Sequence, residues 1–138
     1  MSDRPTPLAA WHTIVASREE PGYDAVAALD VLLADDCVFR SPAVFKPQEG
    51  KELTKAYLGA ALTVLGPTLR YVDEWSSDTG AVLEFEAPLD GILAHGIDMM
   101  RWNEAGQLTS FTVMIRPMRG LQKVIELMSV ELNRVLGG

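Results

Sequence analysis

The chain has 138 residues, 48% of them apolar and 22% charged, with a formal net charge of −7 and a pI near 4.7. That length suits one domain, residues 1–138, with a core of its own, and the balance of apolar and charged residues is that of a soluble globular protein. The acidity argues against nucleic acid and anionic membrane surfaces as partners, and no run approaches the ~18 apolar residues of a membrane span.

One cysteine, Cys37, excludes an internal disulfide and a cysteine-rich metal site, and two histidines, His12 and His95, leave few soft ligands. No metal and no cofactor is therefore expected. The opening MSDRPTPLAAW lacks the basic-then-apolar layout of a secretory signal, so the expected compartment is the cytoplasm.

In chain order, Thr6 and Pro7 offer a cap and a first helical position, and Leu8, Trp11, Ile14 and Val15 recur at helical spacing through to residue 18. A second helix is predicted over 23–33 from Val26, Leu29, Leu32 and Leu33. Residues 37–40 read as a short strand stopped by Ser41-Pro42, and 43–48 as a loop. Phe45 in that loop is expected to line or lid a cavity, simple packing being the competing reading. A third helix is predicted over 50–65, with Gly66-Pro67 as its stop, and a strand over 68–75.

The stretch 81–117 organises the rest. Ala81, Leu83, Phe85, Ala87 and Leu89 alternate with Glu84 and Glu86, the period of a half-buried strand. Asp90-Gly91 supplies hairpin chemistry. The next run, 92–102, puts Ala94, Gly96, Asp98, Met100 and Trp102 on one face and Leu93, His95, Ile97, Met99 and Arg101 on the other. Residues 108–117 follow as a third strand, and Leu121, Val124, Ile125, Met128, Leu132 and Val135 mark a long amphipathic helix. Helices segregated from an antiparallel run of strands mean α+β. Both faces of the strands carry large apolar side chains, so helices are expected on one face and a second copy of the chain on the other, a homodimer through the outer sheet face.

Three motifs in this order, Ala34-Asp35-Asp36-Cys37-Val38-Phe39-Arg40-Ser41-Pro42, then Glu49-Gly50-Lys51-Glu52-Leu53, then the run from Ile97 through Asp98 and Trp102 to Leu108, resemble those of the NTF2-like superfamily, in its SnoaL-like and ketosteroid-isomerase-like branch. The resemblance spans roughly residues 8–117, the last helix lying outside it. It implies an α+β cone, a curved antiparallel sheet wrapped by the N-terminal helices around an apolar pocket, and a sheet-to-sheet dimer. In ketosteroid isomerases the aspartate at the place of Asp98 is a protonated hydrogen-bond donor to an oxyanion, a case in which an apolar site keeps an acid neutral. The aspartate that serves those enzymes as base falls at Ser41 here, and the first helix offers Trp11 and His12 where they carry a tyrosine. In SnoaL-like cyclases a single acid or base can suffice.

Asp98 is thus the expected catalytic group, a carboxyl among apolar neighbours that is costly to bury unless it is paired or protonated. The functional reading adds His12, facing the same cavity from the first helix, as a partner in moving a proton on an enolisable or cyclising carbonyl compound. The structural reading has Asp98 bonded to Trp11, Tyr57 or a backbone amide and fixing the core. By parity the ligand-binding wall is expected to hold Met100, Trp102, Phe111, Val113 and Ile115, closed by Trp11, Tyr57 and Phe45, a lining for an apolar small molecule. A cavity of ~300 Å³ or more beside Asp98 favours ligand chemistry, and a collapsed interior favours a non-catalytic binding or dimerisation module.

Overall fold

A computed structural model describes residues 6–136 and arranges them as α1 (Pro7–Ser17), α2 (Ala25–Leu32), β1 (Leu33–Ser41), β2 (Val44–Glu49), α3 (Lys51–Leu65), β3 (Arg70–Ser76), β4 (Gly80–Leu89), β5 (Ile92–Trp102), β6 (Leu108–Arg116) and α4 (Met118–Val135). The local chemistry accounts for the boundaries. Thr6 Oγ1 accepts from the Ala9 amide at 3.1 Å with Pro7 as the first helical residue, and Asp24 Oδ1 accepts from the Ala27 amide at 3.0 Å to start α2. Asp90 and Gly91 both adopt positive φ, 50° and 80°, which lets β4 turn into β5 in two residues.

The six strands form one curved, unclosed sheet in the order β2-β1-β6-β5-β4-β3. Every neighbouring pair is antiparallel except β1 with β6, so the sheet is mixed where an antiparallel one was expected. The α+β cone is as the sequence implies. The stretch read as a loop, 43–48, is largely strand β2, and Phe45 on it is fully exposed rather than part of a cavity. Its neighbour Pro47 and its lack of apolar alternation suit an edge strand, which has only one ladder to satisfy.

Burial follows the parity of the strands. Leu83, Met100, Leu108 and Phe111 point under α1 and α3, against Trp11, Ile14, Phe39 and Leu58. A second cluster at the other end joins Ala87, Leu89 and Ala94 to Ala60 and Leu65 of α3 and to Val124 and Met128 of α4. Here α4 meets β5 so closely that a Cβ at Gly120 would lie 3.1 Å from Ala94 Cα and from the Leu93 carbonyl oxygen. The outer face has no helical cover among the described residues and leaves Val72, Trp75, Leu93 and Met114 exposed. None of the described helices is long and apolar enough to cross a membrane.

Candidate active site

Asp98 sits mid-strand on β5, in register with Leu83 of β4 and Val113 of β6, and is only 6% exposed. Alternation turns it inward with Gly96 and Met100. Its hydrogen-bonding neighbour, two strands away on the same sheet, is Tyr71 of β3. That residue stands opposite Phe85 in the β3–β4 ladder just before a register shift, so Tyr71 faces in while Asp73 and Glu74 are exposed. The Tyr71 hydroxyl donates to Asp98 Oδ2 at 2.5 Å and accepts from Trp11 Nε1 at 2.9 Å. Asp98 Oδ1 has no hydrogen-bond partner among the described residues.

Burial pushes the Asp98 carboxyl up to about 7, and the hydrogen bond from Tyr71, which favours the charged form, offsets only part of that rise. Tyr71 is itself raised well above the ordinary phenol value, first by burial and then by the Asp98 charge and hydrogen bond. Near neutrality the pair therefore holds one ionisable proton that can be present or absent, on Asp98, beside a phenol that keeps its own.

The two side chains border a cavity of about 50 Å³ whose other walls are mostly apolar, among them Trp11, Phe111, Val113 and Ile115. Helix α4 contributes Val124 and Met128, and β1 contributes Ser41. The Ser41 hydroxyl oxygen accepts from the Ala43 amide at 3.0 Å, which leaves its proton free to donate. A void of this size holds a few atoms, well short of the ~300 Å³ of a typical ligand pocket.

The remaining expected site residues lie elsewhere. His12 is not on the cavity wall: its Nε2 lies 2.7 Å from Glu74 Oε1, in a half-exposed pair, and only its ring edge meets Tyr71, at 5.7 Å between centroids. Trp102 turns its indole to the Asp78 carbonyl oxygen at 2.7 Å, held by the end of the hairpin rather than by a ligand space. Met100 is fully buried core and does not border the void. Tyr57 stacks on Phe39 at 5.2 Å and faces a groove outside the cavity. Phe45 is in solvent. Sequence reasoning missed Tyr71 and the α4 residues. The signal for Tyr71 was available in the spacing Leu69, Tyr71, which places it on the apolar side of its strand. His95 points outward to Glu84 at 2.7 Å and to Arg116, as alternation requires. No group of three or more His, Cys, Asp or Glu side chains able to hold a metal occurs among the described residues.

Neither a protein-family model nor a curated protein matches the chain. Solved structures do match it. A steroid delta-isomerase from Pseudomonas aeruginosa is 36% identical and superposes with a TM-score of 0.84, over 96% of this chain and 93% of that one. An NTF2-like protein of unknown function from Cytophaga hutchinsonii, 15% identical, gives 0.61 over 86% and 97%. A candidate SnoaL-like polyketide cyclase from Jannaschia, 9% identical, gives 0.61 over 91% and 98%; these last two likenesses concern the fold alone.

Proposed function

The chain belongs to the NTF2-like superfamily, in its SnoaL-like and ketosteroid-isomerase-like branch, and on that footing we propose that it is a cofactor-free acid/base protein acting on an apolar carbonyl compound through Asp98. One observation carries the reading: a buried carboxyl on the cavity wall, with Oδ2 held by Tyr71 and Oδ1 unpaired among the described residues, which burial raises to about 7. Likeness to a steroid delta-isomerase supports the reaction class, since isomerisation of an enolisable ketone is a proton transfer from one carbon to another.

In this reading the Asp98 carboxylate takes a proton from the carbon next to the carbonyl, leaving an enolate, and the carboxylic acid so formed returns that proton to a different carbon. A group titrating near the working pH serves best in both directions. Tyr71 steadies Oδ2 throughout, and Trp11 fixes Tyr71. Where ketosteroid isomerases use a second carboxylate as base, Ser41 offers a hydroxyl, which donates a hydrogen bond but does not act as a base near neutrality. The proton shuttle therefore falls to Asp98 alone, and Ser41 is the available donor to the enolate oxygen.

The second reading, a non-catalytic ligand-binding or dimerisation module, is favoured by the small volume of the void. In both readings the outer face, with Trp75, Leu93 and Met114 exposed, joins a second copy of the chain. Incubation with simple enolisable ketones in heavy water, followed by mass spectrometry, separates the two. Deuterium uptake by the ketone that is lost in Asp98→Asn supports the acid/base reading. No uptake above the buffer rate leaves the binding module.

A further inference from the structure

The cavity beside Asp98 is too small for the ligand the site chemistry calls for, and the way out of it is lined by particular residues. Ser41, Ala43 and Met128 border the 50 Å³ cavity on one side and a groove of about 450 Å³ on the other. That groove runs between the start of β2 and the second half of α4, and its volume lies within the range that small-molecule sites occupy. Its wall combines Leu132 and Leu136 with the hydroxyls of Tyr57 and Ser129 and the amide of Asn133. Among the described residues no Lys, Arg, Asp or Glu lines it.

From this continuity we infer that the groove is a second ligand subsite, seating the distal part of an elongated, uncharged carbonyl compound whose carbonyl end reaches Asp98. The inference rests on the reading of Asp98 given above and adds to it the shape and charge of the ligand. A phosphorylated or nucleotide-bearing tail has no cation to meet here, whereas an alkyl chain carrying a hydroxyl or ether oxygen finds both apolar and hydrogen-bonding wall. The subsite also gives α4 a role. Its inner face closes the cavity with Val124 and Met128, and its next turns supply Ser129, Leu132 and Asn133 to the groove.

The probes are methyl ketones of increasing length, from 2-butanone to 2-undecanone, titrated into the native chain, Ser129→Trp, Asn133→Trp and Asp98→Asn. Both tryptophan positions are exposed on α4 and line the groove without touching the cavity. In the native chain, affinity should rise about threefold to fourfold per methylene once the chain outgrows the cavity. In the tryptophan variants that rise should stop, with binding of 2-butanone unchanged. A length dependence that survives both tryptophans, or no length dependence in the native chain, overturns the inference. Asp98→Asn tests the underlying reading separately: if it catalyses deuterium uptake by the ketones as the native chain does while the tryptophans abolish the rise, the groove stands and the role of Asp98 falls.

Discussion

The Tyr71 hydroxyl and the Asp98 carboxyl meet at 2.5 Å in the interior beside the cavity, one oxygen of the carboxyl bonded to the protein and the other unpaired among the described residues. This division is what lets a carboxyl be held in place and remain usable. Burial raises the Asp98 pKa and the bond from Tyr71 lowers it by less, which leaves the carboxyl at about 7.

Tyr71→Phe removes the weaker of these two effects, so the midpoint of Asp98 should move above 7, followed by carboxyl-carbon NMR of the variant. The same change strands the Trp11 indole N–H, now donating at 2.9 Å to the phenol, in a buried site. An unmade buried hydrogen bond costs about 1–3 kcal/mol, which urea denaturation should read as lost stability.

Asp98 also makes folding depend on pH. Its folded pKa of about 7 lies above the ordinary unfolded value of roughly 3.9, so the folded state holds the proton more tightly between the two. The sign follows: stability is greatest below about pH 4, falls as pH rises toward 7, and levels off above it. A shift of about three units corresponds to roughly 4 kcal/mol. Asp98→Asn should flatten this slope, gaining on the native chain at pH 8 and matching it more nearly at pH 5. Denaturant midpoints across that range check it.

Gly96 is where the sheet permits the arrangement. A Cβ there would fall 2.2 Å from the Met114 carbonyl oxygen and 2.8 Å from Phe85 Cζ, so strand and ring would both have to move. Phe85 stands edge-on to Tyr71, at 6.4 Å between centroids. Gly96→Ala should therefore cost about 1–3 kcal/mol by overpacking and also disturb the Asp98 midpoint through Tyr71. Denaturation and the carboxyl titration, run on one sample, report both.

On the outer face, Leu93, Met114 and Trp75 are each about half exposed. Met114→Lys places a charge on the surface proposed to join two copies. Light scattering should show the native chain at about twice 15.1 kDa and the variant at about that mass, with the fold retained by circular dichroism.

How much of this was legible in the sequence depended on how evenly each segment is buried. β5 is covered unequally on its two faces, so its alternation named Asp98 as inward and His95 and Arg101 as outward. The three-residue parity from Phe111 to Ile115 placed part of the cavity wall in the same way. β2 is an exposed edge with a proline, and solvent on both sides erases the pattern that would mark it. β3 is mostly exposed and shifts register after Tyr71, so alternation over its whole length misleads even though Leu69 and Tyr71 point the right way. His12 and Phe45 were placed by residue type alone, and type does not say that Glu74 stands across from the one or that nothing covers the other. The stripe on α4 announced an amphipathic helix but not which end of the cone it would close.

The central claim is that Asp98 exchanges its proton near neutral pH inside the folded protein. A titration of the carboxyl carbon of Asp98, assigned by comparison with Asp98→Asn, tests it most directly. The expected midpoint is about 7, with the fold unchanged across the transition. A midpoint near 4, the value of an ordinary aspartate, would mean that the carboxyl is charged throughout the physiological range and is no shuttle for a proton.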